Sequence, residues 1–186
     1  MALTLSNMLP IGTLAPHFRL PDTVSGSIKS LNDIASDKGT VVMFLCNHCP
    51  YVIHVNPELV KLADEYIAKG VAFVAISSND AVNYPQDGPD KMSTHAKENG
   101  YPFPYLYDES QEVAKAYDAA CTPDFYVFDG SMRLVYRGQM DGSRPNSGIP
   151  LSGEDLRKAL DNLLEGKAQA EIQRPSAGCN IKWKKE

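Results

Sequence analysis

Two short runs of the chain are apolar at every position, Val41-Val42-Met43-Phe44-Leu45 and Val71-Ala72-Phe73-Val74-Ala75-Ile76. Continuous rather than alternating hydrophobicity predicts strands covered on both faces. Between them Leu59, Leu62, Ala63, Tyr66 and Ile67 recur at helical spacing and Gly70 supplies a stop, so the segment reads as strand, helix, strand with a right-handed crossover. Pro57 cannot donate an intrahelical hydrogen bond and Asn56 is a good N-cap, which predicts a kink or restart there, with a first helical piece over 49–55. Further on, 91–99 reads as a helix ended by Gly100, 105–107 as an extended segment after Pro102 and Pro104, and 111–117 as a short helix. Phe125-Tyr126-Val127-Phe128 and Leu134-Val135-Tyr136 flank Asp129-Gly130, an antiparallel hairpin signal. The last helix carries Leu156, Leu160, Leu163 and Leu164 up to Gly166, behind a Ser152-Gly153-Glu154-Asp155 stretch that fits a capping box. Ahead of all this, 18–20 and 28–31 predict an added hairpin around Ser25-Gly26.

No internal repeat and no low-complexity linker interrupts the pattern, so 1–186 is expected to form a single domain, with 1–38 as an N-terminal extension and 167–186 as a C-terminal tail. At 43% hydrophobic and 22% charged residues the chain has the balance of a soluble globular protein rather than a disordered one. No apolar run approaches the roughly 20 residues a spanning helix needs, so no membrane partner is expected. A net charge of -5 gives no general attraction to nucleic acid, and Lys182, Lys184 and Lys185 around Trp183 read as a solvated cluster. The first sixteen residues lack both a basic start and a sustained apolar stretch, so they do not read as a secretory signal, and a cytoplasmic location is expected.

The chemistry-bearing residues lie where the first apolar strand meets the helix, in Cys46-Asn47-His48-Cys49-Pro50. The thiolate is the reactive form of cysteine, and the unpaired N–H groups and positive dipole end at a helix start favour it. Two intervening residues allow a small disulfide ring, so that one sulfur can attack a partner's disulfide and the other can resolve the mixed disulfide. His48, when protonated, stabilises a neighbouring thiolate. The same residues also suit a metal: Cys46, His48 and Cys49 are soft and borderline ligands that His17, His54 or Cys121 could complete, although no second close-spaced cysteine pair is present. Pro50 in place of histidine after the second cysteine argues against covalent haem attachment, and no cofactor is expected.

Cys121-Thr122-Pro123-Asp124 leads into the hairpin, and an X-Pro bond at a strand entrance is a candidate for cis geometry. Taken together, the Cys46 to Cys49 pair and Thr122-Pro123 resemble the thioredoxin superfamily. That resemblance implies the thioredoxin fold, an α/β architecture with a central mixed sheet flanked by helices, here carrying an N-terminal hairpin and an insertion between its halves. It also implies a cis-proline loop facing the cysteines, with Thr122 and Pro123 helping to hold substrate. Ile11-Gly12-Thr13-Leu14-Ala15-Pro16-His17-Phe18-Arg19-Leu20, with Gly178-Cys179-Asn180-Ile181-Lys182-Trp183 at the other end, is similar to the redoxin or peroxiredoxin-like branch, the alkyl hydroperoxide reductase and thiol-specific antioxidant proteins. Against the peroxidase motif of that branch, Cys49 matches the peroxide-attacking cysteine while Cys46 stands at its Thr/Ser position, Val42 at its proline and Pro123 near its arginine. Against thioredoxins, Leu45 stands where a tryptophan is usual and Thr40 where a buried acid is usual, which leaves the proton-transfer partner unidentified.

The leading expectation is a thiol-disulfide oxidoreductase. Cys46 is the more exposed nucleophile and Cys49 the resolving thiol, an order the resemblance implies, with His48, Pro50, Thr122, Pro123 and Cys121 supporting the site. The alternatives are a thiol peroxidase attacking through Cys49 and a copper or zinc binding protein using Cys46 and Cys49. The expected partners are a protein or small-molecule disulfide, or peroxide for the alternative, together with an electron donor the sequence does not name. Dimerisation is frequent among peroxiredoxin relatives, so a homodimer is an expectation of the resemblance. Cys121 reads either as a buried inert thiol or as a neighbour of the site, and Cys179 either as a distal resolving cysteine or as part of a tail anchored by Ile181 and Trp183. Tyr51, Tyr84, Arg137 and Arg144 are further candidates to border the site.

Overall fold

Four short elements precede the first apolar run in the computed structural model, which describes residues 3–185. They are β1 (Leu3–Leu5), the antiparallel hairpin β2 (Arg19–Pro21) and β3 (Ile28–Ser30), and α1 (Leu31–Ile34). The apolar runs become β4 (Thr40–Phe44) and β5 (Ala72–Ser77), joined by α2 (Pro50–Ala68). The second half contains α3 (Pro89–Asn99), β6 (Tyr105–Tyr107), α4 (Glu112–Ala116), β7 (Cys121–Thr122), β8 (Asp124–Phe128), β9 (Leu134–Gly138), α5 (Glu154–Leu164) and β10 (Ala177–Asn180).

Five strands form the central sheet in the order β6-β5-β4-β8-β9. β4 runs parallel to β5 and antiparallel to β8, so the sheet is mixed and β4 sits at its centre, buried at all five positions. Alternate residues of β4 face opposite cores. Val41 and Met43 pack with Leu59, Leu62, Leu156 and Leu160 of α2 and α5, whereas Val42 and Phe44 pack with Leu31, Ala114, Tyr117 and Tyr126. A sheet covered on both faces is what the continuous apolar runs require. The architecture is the thioredoxin fold.

Two local expectations change. Helix α2 runs through Pro57 as one element, and Asn56 lies inside it rather than capping a second piece. The buried Asn56 amide instead accepts from Tyr101 Oη at 2.8 Å and reaches Asn99 and His95 at 3.3 and 3.2 Å, which ties α2 to α3. Helix α5 has no side-chain capping box. Its N-cap Gly153 is left-handed at φ 68, and Asp141 from a distant loop accepts from the Ser152 and Gly153 N–H groups at 2.8 and 2.6 Å. A carboxylate at that end satisfies two orphan donors and complements the dipole. The capping box occurs at α1 instead, where Ser30 and Asp33 exchange bonds.

A second sheet was not visible in the pattern. β1, β10 and β7 pair in that order, all antiparallel, and bring the two ends of the chain onto the strand just before Pro123. Thr122 is directly opposite Cys179, and Leu3 pairs with Cys179 from the other side.

Candidate functional site

β4 hands the chain to the site. Leu45 N–H still donates to Ile76 O at 3.0 Å, so Cys46 leaves the sheet as its first free residue, and α2 begins four residues later. Cys49 is the N-cap of α2, with extended backbone (φ -71, ψ 123), and its carbonyl accepts the first helical bond from Ile53. Pro50 occupies N1, where its missing N–H costs nothing, and is exposed to solvent. Cys49 therefore sits at the positive end of a 19-residue helix, whereas Cys46 precedes it.

Opposite stands Thr122, and the Thr122-Pro123 bond is cis. Cys46 Sγ is 3.2 Å from Thr122 Oγ1, and Cys49 Sγ is 3.3 Å from Thr122 O. Cys49 Sγ also lies 2.7 Å from Cys179 Sγ, which β10 delivers. Three thiols thus cluster beside Thr122, two touching it and the third touching Cys49, although they come from the strand-to-helix turn and from the far end of the chain. All four cysteines are free thiols. The expectation of an exposed Cys46 is corrected: Cys46 is 1% exposed and Cys49 0%, because β4, α2 and the Thr122 loop enclose both.

Ionisation is also reversed from the expected order. The Cys46 thiol directed at Cys49, then the Cys179 thiol and the backbone N–H groups of Val52 and Cys179, pull the Cys49 thiol down to about 5 against the opposing effect of burial. Cys46 is pushed well up by donating to Cys49, by burial and by the charge of Asp87. Cys179 is raised to about 12, by burial first and by donation to Cys49 second. The resting charge therefore belongs to Cys49. The ultraviolet thiolate absorbance of the reduced protein is expected to rise through an inflection near pH 5, to persist in Cys121→Ser and to vanish in Cys49→Ser. A thiolate appearing only in the alkaline range would overturn this assignment.

Asp87, on the 3-10 turn Pro85–Asp87 of the insertion, is fully buried beside this group. It accepts from Asn47 N–H at 2.9 Å and Asn79 Nδ2 at 2.8 Å, and His48 Nδ1 lies 2.6 Å from it. The His48 contact has the distance of an ion pair without the alignment of a hydrogen bond. Asn47 is held further by Gln86 O and Tyr105 Oη, and the His48 ring stacks on Tyr84 at 6.1 Å. Cys46 Sγ, a His48 ring nitrogen and an Asp87 oxygen lie within 4.8 Å of one another, the one group among the described residues with the spacing of a metal site. Both Asp87 oxygens are already engaged by amide donors, which leaves a cation to compete with those bonds.

The remaining candidates divide. Tyr51, Pro123 and Arg144 line a cleft together with His54. Arg144 is tied to Asp141 O, Ser143 O and Gln139, and Arg137 to Gln173; neither donates to a site sulfur. Cys121 is fully buried, its sulfur touches Pro123 O at 3.9 Å, and burial holds its thiol far above the usual range. It adjoins the site in sequence without joining the three converging thiols. His17 does not share the compact donor group. Thr40, at the position where an acid was sought, is buried and accepts from Ser36 N–H; the nearby buried acids are Asp87 and Asp124, the latter pushed up to about 7 by burial. Asp87 escaped sequence reasoning because it lies in a Pro- and Gly-bracketed loop, where an acid is ordinarily a solvated turn residue.

Comparison with known proteins places this geometry. No match is found among curated proteins. Among solved structures, an uncharacterized conserved protein from Geobacillus kaustophilus is 60% identical, with a TM-score of 0.98 over 100% of this chain and 98% of that one. A hypothetical protein from Sinorhizobium meliloti is 45% identical, with a TM-score of 0.96 over 98% and 100% of the two chains. The thioredoxin domain of a thiol-disulfide oxidoreductase from Bacteroides vulgatus shares the fold at 20% identity, with a TM-score of 0.61 over 78% and 95%. The AhpC/TSA family matches residues 11–137, which include Cys46, Cys49 and the Thr122-Pro123 loop. With the cysteine pair and the cis-proline loop in that matched stretch, the chain belongs to the AhpC/TSA family and is a thiol redox protein of the thioredoxin superfamily.

Proposed function

We propose that this protein is a thiol-disulfide oxidoreductase whose Cys46 and Cys49 cycle between dithiol and disulfide. The observation that carries the reading is the convergence of both sulfurs on Thr122, next to a cis-proline, at the start of α2. The resting thiolate on Cys49 and the proton on Cys46 form one exchangeable unit. Transfer of that proton to Cys49 creates the Cys46 thiolate, which attacks a substrate disulfide and expels one substrate thiolate; that thiolate takes the Cys49 proton, and the Cys49 thiolate attacks the Cys46 sulfur and releases the second substrate thiolate. His48 and Asp87 lie beside Cys46, where they can relay its proton. Entry of a protein disulfide requires the Asn47-His48 turn to yield, since Cys46 is enclosed as packed.

A second reading, a thiol peroxidase, is favoured by the lowered Cys49 thiol. Against it, no arginine among the described residues donates to Cys46 or Cys49, so the departing peroxide oxygen lacks a guanidinium donor.

Insulin disulfide reduction and hydrogen peroxide consumption, each with dithiothreitol as donor, separate the two in wild type and Cys46→Ser. Disulfide exchange predicts insulin reduction in wild type and its loss to background in Cys46→Ser. Peroxide consumption that survives in Cys46→Ser, with no insulin reduction in wild type, would transfer the assignment to the peroxidase. Stoichiometric zinc or copper that survives dialysis, with neither activity present, would reject both.

A further inference from the structure

Cys179 is 130 residues from Cys49 and lies at its sulfur. β10 holds it between β1 and β7, opposite Thr122, and the following residues are strapped down: Lys182 N–H donates to Asn79 Oδ1, and Lys182 O accepts from Asp80 N–H and Gln111 Nε2. The residue is 3% exposed. Its sulfur, 2.7 Å from Cys49 Sγ, needs to move by well under an ångström to reach the roughly 2.05 Å of a disulfide bond. Cys49 therefore has two thiol neighbours, Cys46 on its own turn and Cys179 from the opposite end of the chain.

We propose that Cys179 is a third redox-active cysteine, which takes over the disulfide from Cys46 and leaves Cys49 joined to the C-terminal strand. The inference rests on the disulfide-exchange reading above. In the step, Cys179 gives up its proton and attacks the Cys49 sulfur; the Cys46–Cys49 bond breaks, and Cys46 leaves as a thiolate that takes up a proton. One S–S bond forms and one breaks, so the two electrons already delivered to the substrate disulfide are the only ones transferred. Cys46 is thereby released for a second encounter while oxidation is stored between α2 and β10. A buried thiol with a purely packing role does not exchange in this way.

Trypsin makes the outcome readable in the full-length protein. Cys46 and Cys49 share the peptide 39–61, Cys121 lies in 116–133 and Cys179 in 168–182, because Pro175 blocks cleavage after Arg174. Reduced wild-type protein is treated with one equivalent of oxidised glutathione, quenched with acid at intervals, alkylated with N-ethylmaleimide and digested without reduction. The expected course is a disulfide within 39–61 first, followed by a 39–61 to 168–182 link that rises as the first declines and becomes the main oxidised form. In Cys46→Ser, diamide should produce that same link in most molecules. If the disulfide within 39–61 persists in wild type while Cys179 is recovered alkylated throughout, Cys179 is a packing residue and only the two-cysteine reading stands. If wild type forms no intramolecular disulfide at all, both readings fall together.

Discussion

Cys49→Ser is expected to lower both insulin reduction and peroxide consumption by roughly a thousandfold or more, the scale on which removal of a nucleophile acts. The size follows from position. Cys49 is the one sulfur common to both disulfides the geometry allows, with Cys46 and with Cys179, and it carries the resting negative charge. Cys46→Ser abolishes insulin reduction as well but leaves the Cys49–Cys179 contact, and Cys179→Ser leaves the Cys46–Cys49 pair, so Cys49→Ser alone removes both disulfides. The fold should tolerate the change. Residue 49 is the N-cap of α2 and makes no side-chain capping bond, and serine is a better N-cap than cysteine. Thermal unfolding of the variant checks that point. With Cys49 gone, the largest influence holding the Cys46 proton disappears, so the remaining Cys46 thiol should ionise at lower pH than in wild type. Activity retained to within tenfold in either assay would show that the chemistry bypasses Cys49.

Which parts of this site were legible depends on how far apart in the chain their causes lie. β4, α2 and β5 were readable because a strand covered on both faces must be apolar throughout and a helix on one face must be apolar every three or four residues. The Cys46-Asn47-His48-Cys49 turn follows from those two elements, since it fills the gap between them. The X-Pro bond at a strand entrance made Pro123 a candidate for the cis geometry it has. The second sheet did not follow from any pattern. β1 has three residues, β7 two and β10 four, too few for alternation to rise above chance, and their pairing joins residues 3–5 to residues 177–179. The placement of Cys179 is a consequence of that pairing, which is why the sequence alone left it between two roles. Asp87 escaped for the same reason, because it acts on backbone 40 residues away, and the capping Asp141 stands a whole loop ahead of the N–H groups it satisfies.

Electrostatics was the least legible layer. The choice of Cys46 as the attacking sulfur came from the thioredoxin resemblance and not from the spacing. The Cys46 thiol directed at Cys49, followed by the Cys179 thiol and the Val52 N–H at the start of α2, instead favours the Cys49 thiolate. Asp87 adds a buried negative charge beside Cys46 that no local sequence feature announces. The Cys46 thiol directed at Cys49, then the Cys179 thiol and the Val52 and Cys179 N–H groups, decide which thiol is charged.

The most destabilising single change expected in this region is Gly178→Ala. A Cβ at Gly178 would lie 1.9 Å from Thr122 O and 2.7 Å from Thr122 C, far inside contact, and both are backbone atoms that cannot rotate aside. The requirement is one of space, since β10 must approach β7 closely enough for Cys179 to pair with Thr122. Relief demands that the two strands separate, and Thr122 O is also the acceptor for Cys49 Sγ at 3.3 Å, so the strain reaches the site. The expected cost is about 3 kcal/mol or more, the upper end of overpacking, which corresponds to a fall in Tm of about 10 °C for a chain of this size. Gly142→Ala is the matched control: its Cβ meets nothing within 4 Å, and the change should stay within about 0.5 kcal/mol. Urea unfolding of the three reduced proteins measures the difference, and the glutathione experiment on Gly178→Ala should show the disulfide within 39–61 without the link to 168–182. A Gly178→Ala protein as stable as Gly142→Ala would mean that β10 does not approach Thr122 this closely in solution, and the contact between Cys179 and Cys49 would lose its structural basis.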